Sequence, residues 1–315
     1  MKNQIKSTKG KVEGAYQSIL RLAGNRAFRQ IEMKAIWELF ESIITPTATH
    51  GCETWDLTKK EEKDINQIMD NIIRRIIITP QTTPREALYI ETGLLDPQEI
   101  RIKQQVMTDH RMKNGKSDRL KKLSNSECSK WHKMHRKNLT VLNIHPNETQ
   151  ASKGKVKSLV KQRINIHFKN RIEEDSAEKS KVTHLLNGRK EWQPLKREKY
   201  MINLNRMDMS TIFLARTRML DIKNNFKNKY KNNMKCRACN ETIETQTHVL
   251  EECKAIHPNP LTKIRPEHYF GENTETLKSA ASNIRRCLEV LEDKEKLTVR
   301  PKGTLQPGDV HLETL

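Results

Sequence analysis

The sequence predicts a mostly α-helical protein in three parts: a small helical bundle, a basic helical linker and a C-terminal cysteine–histidine segment. Three observations lead there. Apolar residues recur at spacings of three and four, the period of a helix face rather than the alternation of a strand. Charge is segregated: residues 1–100 carry 14 Lys and Arg against 14 Asp and Glu, residues 101–235 carry 34 against 12, and residues 236–315 carry 11 against 13. Finally, Cys236, Cys239, His248 and Cys253 fall close together near the C-terminal end.

The first part, residues 1–105, contains three apolar stripes. Val12, Tyr16, Ile19 and Leu20 form one, expected to stop at Gly24. Ile36, Leu39, Phe40, Ile43 and Ile44 form a second, expected to stop at Pro46, whose ring and missing amide oppose a helix interior. Ile65, Ile68, Met69, Ile72, Ile73 and Ile76 form the third. Thr58-Lys-Lys-Glu61 ahead of it fits a capping box, and Thr79-Pro80 marks its end. A helical bundle without chemistry of its own accounts for this stretch.

Residues 106–205 read as a basic linker with amphipathic helices. From Lys155 to Lys169, Val156, Leu159, Val160, Ile164 and Phe168 share one face. Lys153, Lys155, Lys157, Lys161 and Arg163 lie around the rest. A further helix, Met207 to Lys223, carries Met209, Ile212, Phe213, Met219 and Leu220, with Arg216 inside its stripe and Arg218 off it. A surplus of 22 positive charges over residues 101–235 calls for a polyanionic partner, RNA or DNA, because self-repulsion of that size needs a counter-charge. The expected phosphate contacts are Lys153, Lys155, Lys157, Lys161, Arg163, Arg216, Arg218, Lys223, Lys227, Lys229, Lys231 and Lys235. Arg216, within the apolar stripe, fits a buried pairing role equally well. Trp131, Trp192 and Tyr200 fit either base stacking or small-core anchoring.

Residues 206–298 hold the metal motif. Cys236 and Cys239 reach one ion from a tight turn, and His248 and Cys253 close the tetrahedron from one helical turn. Mixed sulfur and nitrogen donors suit Zn2+, and four protein ligands leave no position for a reacting water. The expectation is a structural CCHC zinc knuckle. His257 is an alternative ligand, disfavoured by Pro258, while Cys52, Cys128 and Cys287 read as packing or surface thiols. Glu241, Glu244, Glu251 and Glu252 make the knuckle acidic, so phosphate contacts must come from the lysines upstream. A short helix seamed by Leu277, Ala281, Ile284, Leu288 and Leu291 follows, and residues 299–315 are expected to be disordered.

Other classes are excluded. No apolar run spans a bilayer, the opening MKNQIKSTKG has no hydrophobic signal region, and six cysteines are too sparse for a disulfide scaffold. An intracellular protein of the nucleus or cytoplasm, without a membrane partner, is the expectation.

Three motifs carry a family resemblance. His50-Gly-Cys-Glu-Thr-Trp55, after Ile44-Thr-Pro46 and before the isoleucine helix, resembles the segment just past the polymerase core of non-LTR (LINE-type) retrotransposon reverse transcriptases. A Tyr-Gly-x-Glu-x-Trp element opens the thumb there, and His50 stands in the aromatic position. Thr83-Pro-Arg-Glu-Ala-Leu-Tyr89, with Glu91 and Gly93, looks like the helix and turn that follow. Cys236 to Cys253, enclosing Glu244-Thr-Gln-Thr-His-Val-Leu250, is similar to the C-terminal knuckle of these elements. The resemblance covers roughly residues 5–255. It implies a thumb-like bundle, a basic linker and a zinc knuckle from an RNA-directed DNA polymerase.

Reverse transcription is a two-metal phosphoryl transfer that needs carboxylates to hold its ions. The family uses an adjacent Asp-Asp pair, and this sequence contains none. The resemblance therefore implies that fingers and palm lie before residue 1. The expected function is a nucleic-acid-binding, non-catalytic C-terminal portion, partnered by RNA or DNA and by the rest of a longer polyprotein. The alternative is a zinc-stabilised structural or protein-interaction module, a domesticated retroelement fragment.

Overall fold

Periodicity in the first hundred residues becomes packed helices in the computed structural model, which describes residues 2–22, 31–124, 130–177, 179–189, 192–230 and 233–299. Helix α1 (Lys2–Leu22) buries Val12, Tyr16 and Ile19. Helix α2 (Met33–Leu39) does not end at Pro46 as predicted. It passes through a π turn, Phe40–Ile44, straight into α3 (Thr45–Ala48), so Pro46 occupies a first-turn position where no amide is required. The π turn also resets the buried face: Trp37, Phe40 and Ile44 are buried, whereas Ile43, assigned to the stripe, is 37% exposed.

Helix α4 (Lys59–Ile77) starts on the expected capping box. Thr58 Oγ1 accepts from the Glu61 amide at 3.3 Å and the Glu61 carboxylate accepts from the Thr58 amide at 3.0 Å. The helix ends on Ile78, in the left-handed region, just before Thr79-Pro80. Helix α5 (Arg85–Thr92) closes on Gly93 at φ 62°, and a Cβ there would lie 2.4 Å from the Arg197 backbone nitrogen. Only glycine allows both the turn and that approach. Helix α6 (Pro97–Asn114) is capped by Asp96, whose carboxylate accepts from the Gln98 and Glu99 amides.

The basic middle is helical throughout its main elements: α7 (Asp118–Ser124), α8 (Lys130–Val141), α9 (Lys153–Ala177) and α10 (Ser180–Asn187). Helix α9 outruns the predicted Lys155–Lys169 span, because its buried face continues past Phe168 to Ile172. After the single turn α11 (Tyr200–Asn203), helix α12 (Arg206–Arg216) is shorter than predicted: the chain turns at Arg218, φ 52°, and Lys223–Phe226 forms a separate 3-10 turn. Helices α13 (Pro266–Phe270) and α14 (Thr274–Val299) complete the fold. Leu277, Ala281, Ile284 and Leu291 of the expected seam are buried, on a longer helix than anticipated.

One core crosses both predicted boundaries, at 105/106 and 205/206. It unites Tyr16, Trp37 and Ile73 with Phe168, Phe213 and Leu291. Trp37 also donates through Nε1 to the Met201 carbonyl at 2.9 Å. A smaller core joins α6, α8 and α9 through Ile102, Val106, Leu139, Val156, Val160 and Ile164. Among the described residues the mostly α expectation holds: no strand occurs, only an isolated bridge between Lys235 and Ile243. No helix among them is long and apolar enough to cross a membrane.

Candidate metal centre and nucleic-acid interface

A tight hairpin positions the first two sulfurs. The Cys236 amide donates to Thr242 O at 2.7 Å, the Asn240 amide donates to Cys236 O at 2.8 Å, and Asn240 takes φ 58° to make the turn. The second pair comes from a π turn, His248–Glu252, closed by the Cys253 amide donating to His248 O. An α-helix would rotate His248 and Cys253 about 140° apart. The wider π turn keeps both side chains facing the hairpin.

The four ligand atoms all lie within 4.8 Å of one another. Cys236 Sγ and Cys253 Sγ are 3.9 Å apart, and Cys239 Sγ is 3.4 Å from His248 Nε2. Tetrahedral zinc with ordinary bond lengths requires edges of about 3.8 Å between sulfurs and about 3.6 Å from sulfur to nitrogen. The residues can hold a divalent metal, and the donor set is compatible with zinc. Cys236, Cys253 and His248 are buried and Cys239 is half-buried, so water has little access.

The protein tunes the thiols unequally. Burial pushes Cys236 up to about 12 and raises Cys253 as well. Burial acts in the same sense on Cys239, but the Glu241 and Thr242 amides and the His248 imidazole prevail and bring it to about 6. A cation in the cage would supply the charge that lets the two buried sulfurs ionise. Thr242 Oγ1 lies 3.1 Å from both ring nitrogens of His248, Glu252 Oε2 lies 3.8 Å from Nδ1, and Nε2 is the nitrogen 3.4 Å from Cys239 Sγ.

Glu244 departs from its expected role. It is fully buried, and Arg237, the residue after the first cysteine, grips it through Nη2 at 2.8 Å and through its own amide at 2.8 Å. Arg237 also reaches Glu295 on α14 at 2.9 Å, tying the cysteine–histidine cluster to the last helix. Glu244 therefore adds no free negative charge; the exposed Glu241 and Glu252 do. His257 lies outside the cage, with Nε2 2.9 Å from Val249 O and Nδ1 3.1 Å from Thr262 Oγ1. Cys52 and Cys287 are buried packing thiols, while Cys128 falls outside the described residues.

The predicted phosphate contacts divide sharply. Lys153, Lys155, Lys157 and Lys161 are exposed on α9 and Arg163 is half-buried beside them; none forms an ion pair among the described residues. Arg218, Lys227 and Lys235, ahead of Cys236 in the chain, are exposed. Lys229 is exposed but 3.5 Å from Asp221. Lys231 falls outside the described residues.

Two candidates are corrected. Lys223 is buried, and its Nζ donates to Lys235 O at 2.8 Å. Arg216 is 2% exposed, with Nη1 3.0 Å from Glu198 and 3.4 Å from Glu91, and with Nε donating to Tyr269 O at 2.7 Å. Arg189 completes this network at 2.8 Å from Glu91 and 3.2 Å from Glu198. Glu91 has no solvent exposure, and a buried carboxylate requires buried counter-charge. Tyr200 lies under the Arg216 guanidinium, 4.4 Å from its centre, and is a core residue rather than a stacking platform. Trp192 is half-buried and packs on Phe168 at 6.3 Å between ring centres. The Trp131 side chain falls outside the described set.

Sequence reasoning missed three residues of this arrangement. Glu91 and Arg189 meet across 98 positions, which no local spacing announces, while Arg237 pairs with Glu244 seven residues on and with Glu295 on α14. Compared with family models, curated proteins and solved structures, the chain finds no match.

Proposed function

We propose that this chain is a zinc-stabilised nucleic-acid-binding protein, corresponding to the thumb-like bundle, basic linker and knuckle of a non-LTR retrotransposon reverse transcriptase. It grips RNA or DNA without performing polymerisation, which would require the acidic core absent from this sequence. One observation carries the reading: several arginines of the basic middle are neutralised inside the fold, whereas a run of lysines on the outer face of α9 is not. Arg171, Arg189, Arg197 and Arg216 are consumed by carboxylates, with side chains 21% exposed or less. Lys153, Lys155, Lys157 and Lys161 of α9 stand outside with no carboxylate partner among the described residues, whereas Lys169 further along pairs with Glu173 at 3.7 Å. Internal pairing thus leaves much of the surplus on the surface, where phosphates offer the counter-charge. The knuckle acts as the fold's closing clasp, with Zn2+ held by Cys236, Cys239, His248 and Cys253.

The test is a salt titration of affinity for labelled RNA, with polyglutamate as competitor. The reading expects log affinity to fall linearly with log salt, by about 0.7 for each phosphate neutralised on a single strand. Polyglutamate is expected to displace RNA only at charge concentrations well above those of unlabelled RNA. Equal displacement by both would favour the alternative, a module that binds acidic protein. Salt-independent binding would reject the nucleic-acid reading.

A further inference from the structure

We infer that the seam between α6 and α9 is the principal phosphate footprint, where Lys103, Lys157 and Lys161 together hold consecutive phosphodiesters of one nucleic-acid strand. This assignment rests on the nucleic-acid reading above and gives it a location away from the knuckle. Lys103 was not among the residues expected from sequence.

The geometry begins with packing. Ile102 and Val106 of α6 share a core with Val156, Val160 and Ile164 of α9, which brings the polar edges of the two helices side by side. Lys103 follows Ile102 on α6 and is half-buried, while Lys157 and Lys161, each next to a core residue of α9 (Val156 and Val160), are exposed. Burial lowers the Lys103 ammonium below the usual lysine range, and the nearby charges of Lys157 and Lys161 lower it further. The three ammonium groups thus lie within electrostatic reach of one another along the packed α6–α9 seam.

Among the described residues no carboxylate pairs with them. The acidic residues of α6 are committed elsewhere: Glu99 to Arg171 at 3.0 Å, and Asp109 to Lys113 at 2.7 Å and His135 at 3.0 Å. No Asp or Glu occurs between Lys153 and Asn170 on α9. Like charges brought together without a counter-ion destabilise the free protein, and an anion seated on them reverses the sign.

The stripe also has direction. Lys153, Lys157 and Lys161 are each four residues apart, about 6 Å along the helix axis. That interval is of the order of neighbouring phosphates on one strand. Toward the start of α9 the stripe runs into a groove of about 390 Å³ lined by His110, Arg111, Asn114, Gln150 and Lys153. The first turn of α9 contains no acidic residue to oppose an anion there. Lysines act here as point charges on phosphate, so the footprint reads no base sequence.

The experiment compares three full-length proteins: wild type, Lys103→Gln/Lys157→Gln/Lys161→Gln, and Arg218→Gln/Lys227→Gln/Lys235→Gln. Each is titrated against salt with a labelled single-stranded oligoribonucleotide of mixed sequence. The seam variant is expected to lose about two units of salt slope, three contacts at about 0.7 each, while the knuckle-side variant loses less than half of that. A seam variant with the wild-type slope, beside a knuckle-side variant that loses it, overturns the assignment but leaves the nucleic-acid reading intact. Failure of wild type to bind RNA in a salt-dependent way rejects both. Lysine acetylation of wild type, read by mass spectrometry, decides the matter even if the seam variant misfolds. RNA is expected to protect Lys103, Lys157 and Lys161, and equal labelling with and without RNA refutes the footprint.

Discussion

Replacing Arg216 with methionine separates a buried structural arginine from a surface phosphate contact. Met keeps most of the side-chain volume, so the change removes charge and hydrogen bonds with little cavity. Glu91, fully buried, then keeps Arg189 at 2.8 Å as its one cationic partner among the described residues, and the Tyr269 carbonyl loses its donor. Breaking a buried pair from one side costs about 3–5 kcal/mol, against a total stability of about 5–15 kcal/mol for a typical protein. The loss also depends on pH. Burial raises the Glu91 carboxyl, but Arg189 and Arg216 outweigh burial and hold it below the usual carboxylate range. Its stabilisation is therefore present above the unfolded value and lost as pH falls through the lower folded value. In the variant, burial has less opposition and the folded value shifts upward, so much of the stabilisation that the ionised form provides at neutral pH is lost. The difference between the two proteins is expected to be large near pH 7 and to shrink toward pH 4. Urea unfolding followed by circular dichroism at both pH values measures it. A difference below about 1 kcal/mol at pH 7, or one unchanged between the two pH values, would refute the role assigned to the network.

Gly93→Ala is expected to destabilise by about 1–3 kcal/mol or more, since it combines a left-handed backbone with a 2.4 Å approach to Arg197 N; a thermal melt within a degree of wild type would contradict this. Protein purified without added metal is expected to carry one zinc per chain by elemental analysis. Chelation is expected to expose Cys236 and Cys253 to thiol reagents, whereas protein lacking zinc with equally protected cysteines would remove the metal from the account.

Features whose causes lie within a few residues were legible in the sequence. The capping box at Thr58 and Glu61 is a contact across three positions, and the isoleucine spacing of α4 is the geometry of a single helix. The Cys236–Cys253 cluster is likewise local, because a hairpin and one π turn suffice to converge its ligand atoms. Pro46 misled because the wider turn ahead of it relieves the clash that a regular helix would suffer. The segment borders misled differently: charge segregation describes what faces water, whereas Tyr16, Phe168 and Leu291 share one core whatever their flanking charges. Arg216 and Arg218 are two residues apart, and the apolar stripe set Arg216 apart without naming its partner. Their fates diverge because Glu91, 125 positions away from Arg216, is brought against one face of α12 while Arg218 lies past its end. The convergence of Lys103 with Lys157 and Lys161 has the same origin. Chain order holds no record of which helices meet, so pairing and repulsion between distant charges are decided only when the apolar faces have packed.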